Sequence, residues 1–116
     1  MRNASPLPDK GALTEWLQRY FIVAVVPAYR VEKEIEAVLR SMPVFVKRII
    51  VVNDASPDQT GAVVAKVAAT DNRVLLLNHE VNQGVGGAMV TGFRQALEWG
   101  EIRSRSEEHT SELQSR

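Results

Sequence analysis

The sequence predicts an α/β fold: a parallel sheet in βαβαβα order. Three observations carry the prediction. Residues 21–26, 49–52 and 73–77 are short runs dominated by apolar residues with no polar alternation, as expected of strands covered on both faces. The segments between and after them place apolar residues at helical spacing. One helix between each pair of runs then calls for parallel strands joined by right-handed crossovers.

Residues 1–10 carry two prolines and read as a lead-in. Leu13, Trp16, Leu17 and Tyr20 fall at helical spacing, which predicts a short amphipathic helix with Trp16 as a packing residue. The first strand, 21–26, is expected to stop at Pro27, which cannot donate to a ladder. A helix over 32–41 follows, with Ile35, Val38 and Leu39 on one face and Pro43 beyond its end. The second strand runs straight into Asn53 and Asp54. Ser56, Pro57 and Gln59 then read as a capping box, with the proline at the first helical position. Val63, Val64, Val67 and Ala68 form the next stripe, closed by Thr70, Asp71 and Asn72. After the third strand comes a loop over 78–84. Gly86 and Gly87 open a third helix, whose stripe is read as Met89, Gly92, Phe93, Ala96 and Leu97.

The last dozen residues have no apolar face at any period and resemble one reading frame of a widely used sequencing-library adapter. The expected organisation is therefore a lead-in with a short helix over 1–20, one domain over 21–103, and an unstructured, adapter-derived tail over 104–116.

With 116 residues the chain holds one domain at most. Its 14 acidic and 14 basic residues balance, which gives no electrostatic reason to expect a nucleic-acid partner. The absence of cysteine excludes disulfides and thiolate metal sites. No apolar run approaches the roughly 20 residues of a membrane span. A cytoplasmic domain is the expectation from composition.

Three loops follow the three strands and should converge on one crevice, since open α/β sheets hold ligands beyond their strand carboxyl ends. Tyr29, after Pro27 and Ala28, offers a flat face and a hydroxyl to a base or ribose, or simply packs. Asp54 is acceptor-only when ionised and can select a base edge that presents an N–H; alternatively it fixes its own loop as an Asx turn. Asp58 reads as an acid favoured by a helix dipole. Glycines at 84, 86 and 87 let backbone approach a ligand ahead of a helix N-terminus. They follow the third strand rather than the first, which argues against a dinucleotide-binding enzyme. His79 is read as a loop residue, with no serine, acid or second histidine placed to support it.

Val25-Val26-Pro27-Ala28-Tyr29, then Val51-Val52-Asn53-Asp54-Ala55-Ser56-Pro57-Asp58-Gln59-Thr60, then Asn82-Gln83-Gly84-Val85-Gly86-Gly87 together resemble family 2 glycosyltransferases, over roughly residues 22–100. The glycine loop is nearer the dolichyl- and polyprenyl-phosphate sugar transferase branch. The resemblance implies a truncated GT-A fold, a Rossmann-like parallel sheet that binds a nucleotide-diphosphate sugar. It implies that Pro27, Ala28 and Tyr29 border the nucleoside, that Asp54 bonds the base, and that Gly84 and Gly86 shape the nucleotide side. Many relatives have Asn where Arg30 stands, with a Glu nearby, a role carried here to Glu32. The family's Asp-x-Asp, which holds Mg or Mn on the diphosphate, would follow Trp99-Gly100 and has no counterpart in this sequence; nor does the base that deprotonates the acceptor. The expectation is thus an amino-terminal fragment, with no catalytic residue and no metal of its own, inactive by itself and left with an unpaired apolar sheet edge. The expected partners are a nucleotide-diphosphate sugar and, for a membrane-associated parent, a polyprenyl-phosphate acceptor. The rival readings are a non-catalytic nucleotide-binding module and a receiver-like regulatory domain. A receiver wants further acids after its first strand, where Pro27-Ala28-Tyr29 stands.

Overall fold

The computed structural model describes residues 9–115, with side chains described through Arg103. The elements in chain order are α1 (Lys10–Leu17), β1 (Ile22–Ala28), α2 (Ile35–Arg40), β2 (Val46–Asn53), α3 (Thr60–Ala68), β3 (Val74–Asn78) and α4 (Gly84–Ser115). From β1 onward the order is the expected βαβαβα. The sheet is parallel throughout, in the order β1-β2-β3.

β2 is the middle strand, and its apolar run feeds two cores. Ile49 and Val51 point to one face, where Ile35 and Leu39 of α2 and Val64 and Val67 of α3 cover them. Ile50 and Val52 point to the other, against Ala88 with Ala96 and Trp99 of α4. All four of these β2 side chains are 0% exposed, which is why the run shows no polar alternation. Consecutive crossovers of one hand lie on one face, which puts α2 and α3 together. α4 instead crosses to the opposite face and packs on β1 and β2. The loop leading into it must therefore pass over the carboxyl ends of the strands.

Pro27 lies inside β1, opposite Val52, rather than ending it. The Ala28 carbonyl is turned to β2 and accepts the Asp54 N–H, and adjacent strand residues alternate sides. The missing proline N–H thus falls on the free edge of β1, where nothing is lost. α2 is shorter than expected, with turns over 32–34 ahead of it. The capping box at Ser56 does not form: α3 begins at Thr60, and Gln59 makes no side-chain cap. The chain spends residues 54–59 on a tight loop instead, with Ala55 at φ 58 and the Ser56 N–H donating to Asn53 Oδ1.

Two apolar stripes differ from expectation. α1 buries none of its residues; Trp16 is 46% exposed and packs edge-on against Tyr20. On α4 the side that meets β1 is small, Ala88 and Gly92 with Ala96, while Phe93 and Leu97 face a hollow of about 560 Å³ shared with Phe21 and Val23. Small residues let the helix sit close to β1, and the larger ones then look out past its edge. The α4 backbone also runs on as helix through the segment expected to be an unstructured tail. No proline or glycine follows Gly100, and Glu, Arg, Gln and Leu favour helix. Among the described residues no helix is long and apolar enough to cross a membrane.

Candidate functional site

The site follows from register. Ala28 pairs with Asn53, and Asn53 with Asn78, so the three strands end level. The ladder continues one step further, because Asp54 N donates to Ala28 O and His79 N to Asn53 O, both at 2.9 Å. Tyr29, Asp54 and His79 therefore leave the sheet side by side.

Asp54 is 4% exposed, and its carboxylate is enclosed by donors. Oδ1 accepts from His79 Nδ1 and from the Gln83 N–H, each at 2.8 Å, and Oδ2 accepts from the Gly84 N–H at 2.8 Å. The hydrogen bond from His79 above all, helped by the Gln83 and Gly84 amides and opposed by burial, holds this carboxyl below the usual carboxylate range. The last loop residue and first helical residue of α4 thus give their N–H groups to an acid thirty residues upstream, which acts as a remote N-cap. Gly84 at φ 80 adopts the conformation this turn requires. Asn82 closes the arrangement from the other side, with Nδ2 donating to the Asp54 carbonyl at 3.1 Å.

Asp58 ties the first two loops together. It accepts from the hydroxyls of both Ser56 and Thr60 and from the Thr60 N–H. Because an ionised carboxylate only accepts, both hydroxyl hydrogens are committed to it. Their lone pairs then take the N–H groups of Arg30 (2.8 Å, on Ser56) and Val31 (3.0 Å, on Thr60). These hydroxyl bonds hold the Asp58 carboxyl down at about 2. The acid expected to serve a helix dipole is a hub between two loops. Arg30 itself sits at φ 57, with its guanidinium 5.5 Å from the Tyr29 ring centre.

Pro27, Ala28, Tyr29 and Asp54 line one cavity of about 170 Å³, together with Val31, Val85 and Ala88. Three of the expected residues are outside that lining: Gly84, which joins it only through its bond to Asp54, and Glu32 and Gly86. Glu32 Oε1 accepts the Gln59 N–H at 2.8 Å, and Gly86 sits on the exposed first turn of α4, where a Cβ would meet nothing within 4 Å. Larger hollows beside α1 and along the β1–α4 edge gather no such set of strand-end groups, so chemistry rather than size selects the site.

His79 is the residue that sequence reasoning missed. It has both an acid and a hydroxyl in support, for its Nε2 lies 2.7 Å from Thr91 Oγ1 while Nδ1 meets Asp54. The available signal was arithmetic: His79 stands 25 positions after Asp54, as Asn78 does after Asn53. Among the described residues no group of three or more His, Asp or Glu side chains could hold a metal ion. Asp54 and Asp58 are both taken up by hydroxyl, imidazole and amide donors. The divalent ion implied by the resemblance therefore finds no fitting donor set among the described residues.

The sequence profile of the family described as "Glycosyl transferase family 2" matches residues 23–98. Among curated proteins, the chain is 36% identical over 88 residues to an undecaprenyl-phosphate mannosyltransferase of Micrococcus luteus, covering 68% of this chain and 33% of that protein. It is 33% identical over 92 residues to a UDP-N-acetylglucosamine–dolichyl-phosphate N-acetylglucosaminyltransferase of Methanococcus voltae, covering 68% and 37%. A dolichyl-phosphate beta-glucosyltransferase of Trichomonas vaginalis is 34% identical over 83 residues, covering 62% and 26%. The chain thus spans about a third or less of the length of these relatives.

Proposed function

The chain belongs to glycosyl transferase family 2, and on that premise we propose that it is the donor-nucleotide half of an enzyme that moves a sugar from a nucleotide diphosphate to an acceptor. The observation that carries the reading is the level ending of three parallel strands, with Tyr29 and Asp54 on one cavity and the glycine loop bonded to the acid. In this reading Pro27, Ala28 and Tyr29 form the wall against which the nucleoside lies. Asp54, acceptor-only, selects a base with an imide-type N–H, as uracil and guanine have. Gly84 and Gly86 keep the diphosphate side open to backbone. Glu32 acts indirectly, by holding the second loop through Gln59. The relatives' names support a polyprenyl phosphate as acceptor for the whole protein.

By itself this chain binds but does not transfer, since departure of the diphosphate needs charge neutralisation and the acceptor needs a base. Titration calorimetry of the chain with uridine and guanosine diphosphates tests the first part. One of the two is expected to bind, and Asp54→Ala to abolish that binding; equal affinity in the variant removes Asp54 from the pocket. Sugar transfer from any nucleotide sugar to a polyprenyl phosphate, followed by mass spectrometry, would refute the second part.

A further inference from the structure

We infer that His79 is a positioning residue of this pocket, fixing the Asp54 carboxylate so that one lone pair of Oδ2 stays open to a ligand N–H. The inference rests on the nucleotide-binding reading and deepens it.

Each carboxylate oxygen can accept about two hydrogen bonds. Oδ1 is filled, by His79 Nδ1 and the Gln83 N–H. Oδ2 takes the Gly84 N–H and has no second partner among the described residues. It is thus the one place where this enclosed acid can still accept, and Asp54 lines the cavity.

The geometry also places a hydrogen on the inner ring nitrogen. An ionised Asp54 cannot donate, so Nδ1 carries the hydrogen. Nε2 lies 2.7 Å from the Thr91 hydroxyl, which can donate to it or accept from it. Thr91 stands on α4, the helix that opens with the Gly84 amide bound to the same carboxylate. The bonds therefore close a circuit from Asp54 through His79, Thr91 and α4 back to Asp54. With the side chains of His79 and Asp54 only 8% and 5% exposed, water does not compete for these contacts. Rotation of the carboxylate would break a bond at each oxygen. His79 is not among the residues lining the cavity, so it acts through Asp54.

The test compares two amides on the full chain. In His79→Asn the side-chain N–H can stand where Nδ1 stood; in His79→Gln it reaches instead toward the position of Nε2. Calorimetry with whichever of uridine or guanosine diphosphate binds the wild type is expected to leave His79→Asn within about threefold, while His79→Gln loses about tenfold or more. Thermal melts establish that both variants are folded, and only folded variants enter the comparison. Nitrogen-15 spectra of the wild-type imidazole are expected to show a hydrogen on Nδ1. A neutral Nε2–H form, equal losses in the two variants, or affinity indifferent to both overturns the assignment of His79 while leaving the nucleotide site standing. A wild-type chain that binds neither diphosphate takes down the nucleotide reading itself, and the role of His79 with it.

Discussion

Gly92→Ala sets two effects of opposite sign against each other where α4 crosses β1. Alanine in a helix interior is favoured over glycine by about 1 kcal/mol. Against that, a Cβ at position 92 falls well inside van der Waals contact with Val25 Cγ1, and lies 3.4 Å from Val25 Cβ and 3.5 Å from Cγ2. Rotating the valine gives no relief, since both methyl groups are near and its χ1 is stiff. The helix must lift, and overpacking of this kind costs about 1–3 kcal/mol. The expected net effect is a loss of about 1 kcal/mol, or about 4–8 °C in Tm for a domain near this size. Urea unfolding followed by circular dichroism measures it. Adding Val25→Ala removes the obstructing methyls, so Gly92→Ala becomes neutral or stabilising in that background. Because Thr91 and the Gly84 amide ride on the same helix, the single variant is also expected to weaken the proposed nucleotide binding. A Gly92→Ala chain more stable than wild type by the full helix-propensity gain would refute the close approach of α4 to β1.

Further outcomes follow from the loops. Ala55 sits at φ 58, which costs an L residue roughly 1–2 kcal/mol; Ala55→Gly should stabilise by about 0.5–1 kcal/mol after the greater freedom of the unfolded glycine is counted, and a loss on urea titration refutes it. Thr60 is 0% exposed and its hydroxyl bridges the first two loops, so the near-isosteric Thr60→Val should cost about 1–3 kcal/mol in the same assay. For pH the sign is set by the carboxyls: Asp58 falls to about 2 and Asp54 is also lowered, so the unfolded chain binds more protons between about pH 4 and pH 2. Their stabilisation is fully present above the unfolded value and is lost as pH falls through the folded one. Urea midpoints measured across that window should drop with pH, and Asp58→Asn should flatten the slope; an unchanged slope refutes the role of Asp58 as a hub.

The sequence alone determined the class of fold, because the relevant signals are local. The run 49–52 is apolar at every position, and only a strand buried on both faces uses such a run. Helical spacing likewise marked α2 and α3, and the glycines marked the turn into α4. Pro27, Ala28, Tyr29 and Asp54 were legible as one pocket once the strands were known to be parallel. What periodicity could not deliver is which neighbour an edge or a loop meets. Pro27 belongs to β1 because its other side is unpaired, and Phe93 and Leu97 face outward because α4 meets β1 through glycine and alanine. The loop after β2 gave its hydroxyls to Asp58 rather than to a helix cap. Above all, the company of Asp54 was decided by tertiary structure. Its partners His79, Gln83 and Gly84 lie 25, 29 and 30 positions away, and they reach it only because α4 changes faces and draws the third loop across the strand ends. Side-chain period reports which face a residue occupies; strand register and helix placement decide what waits there.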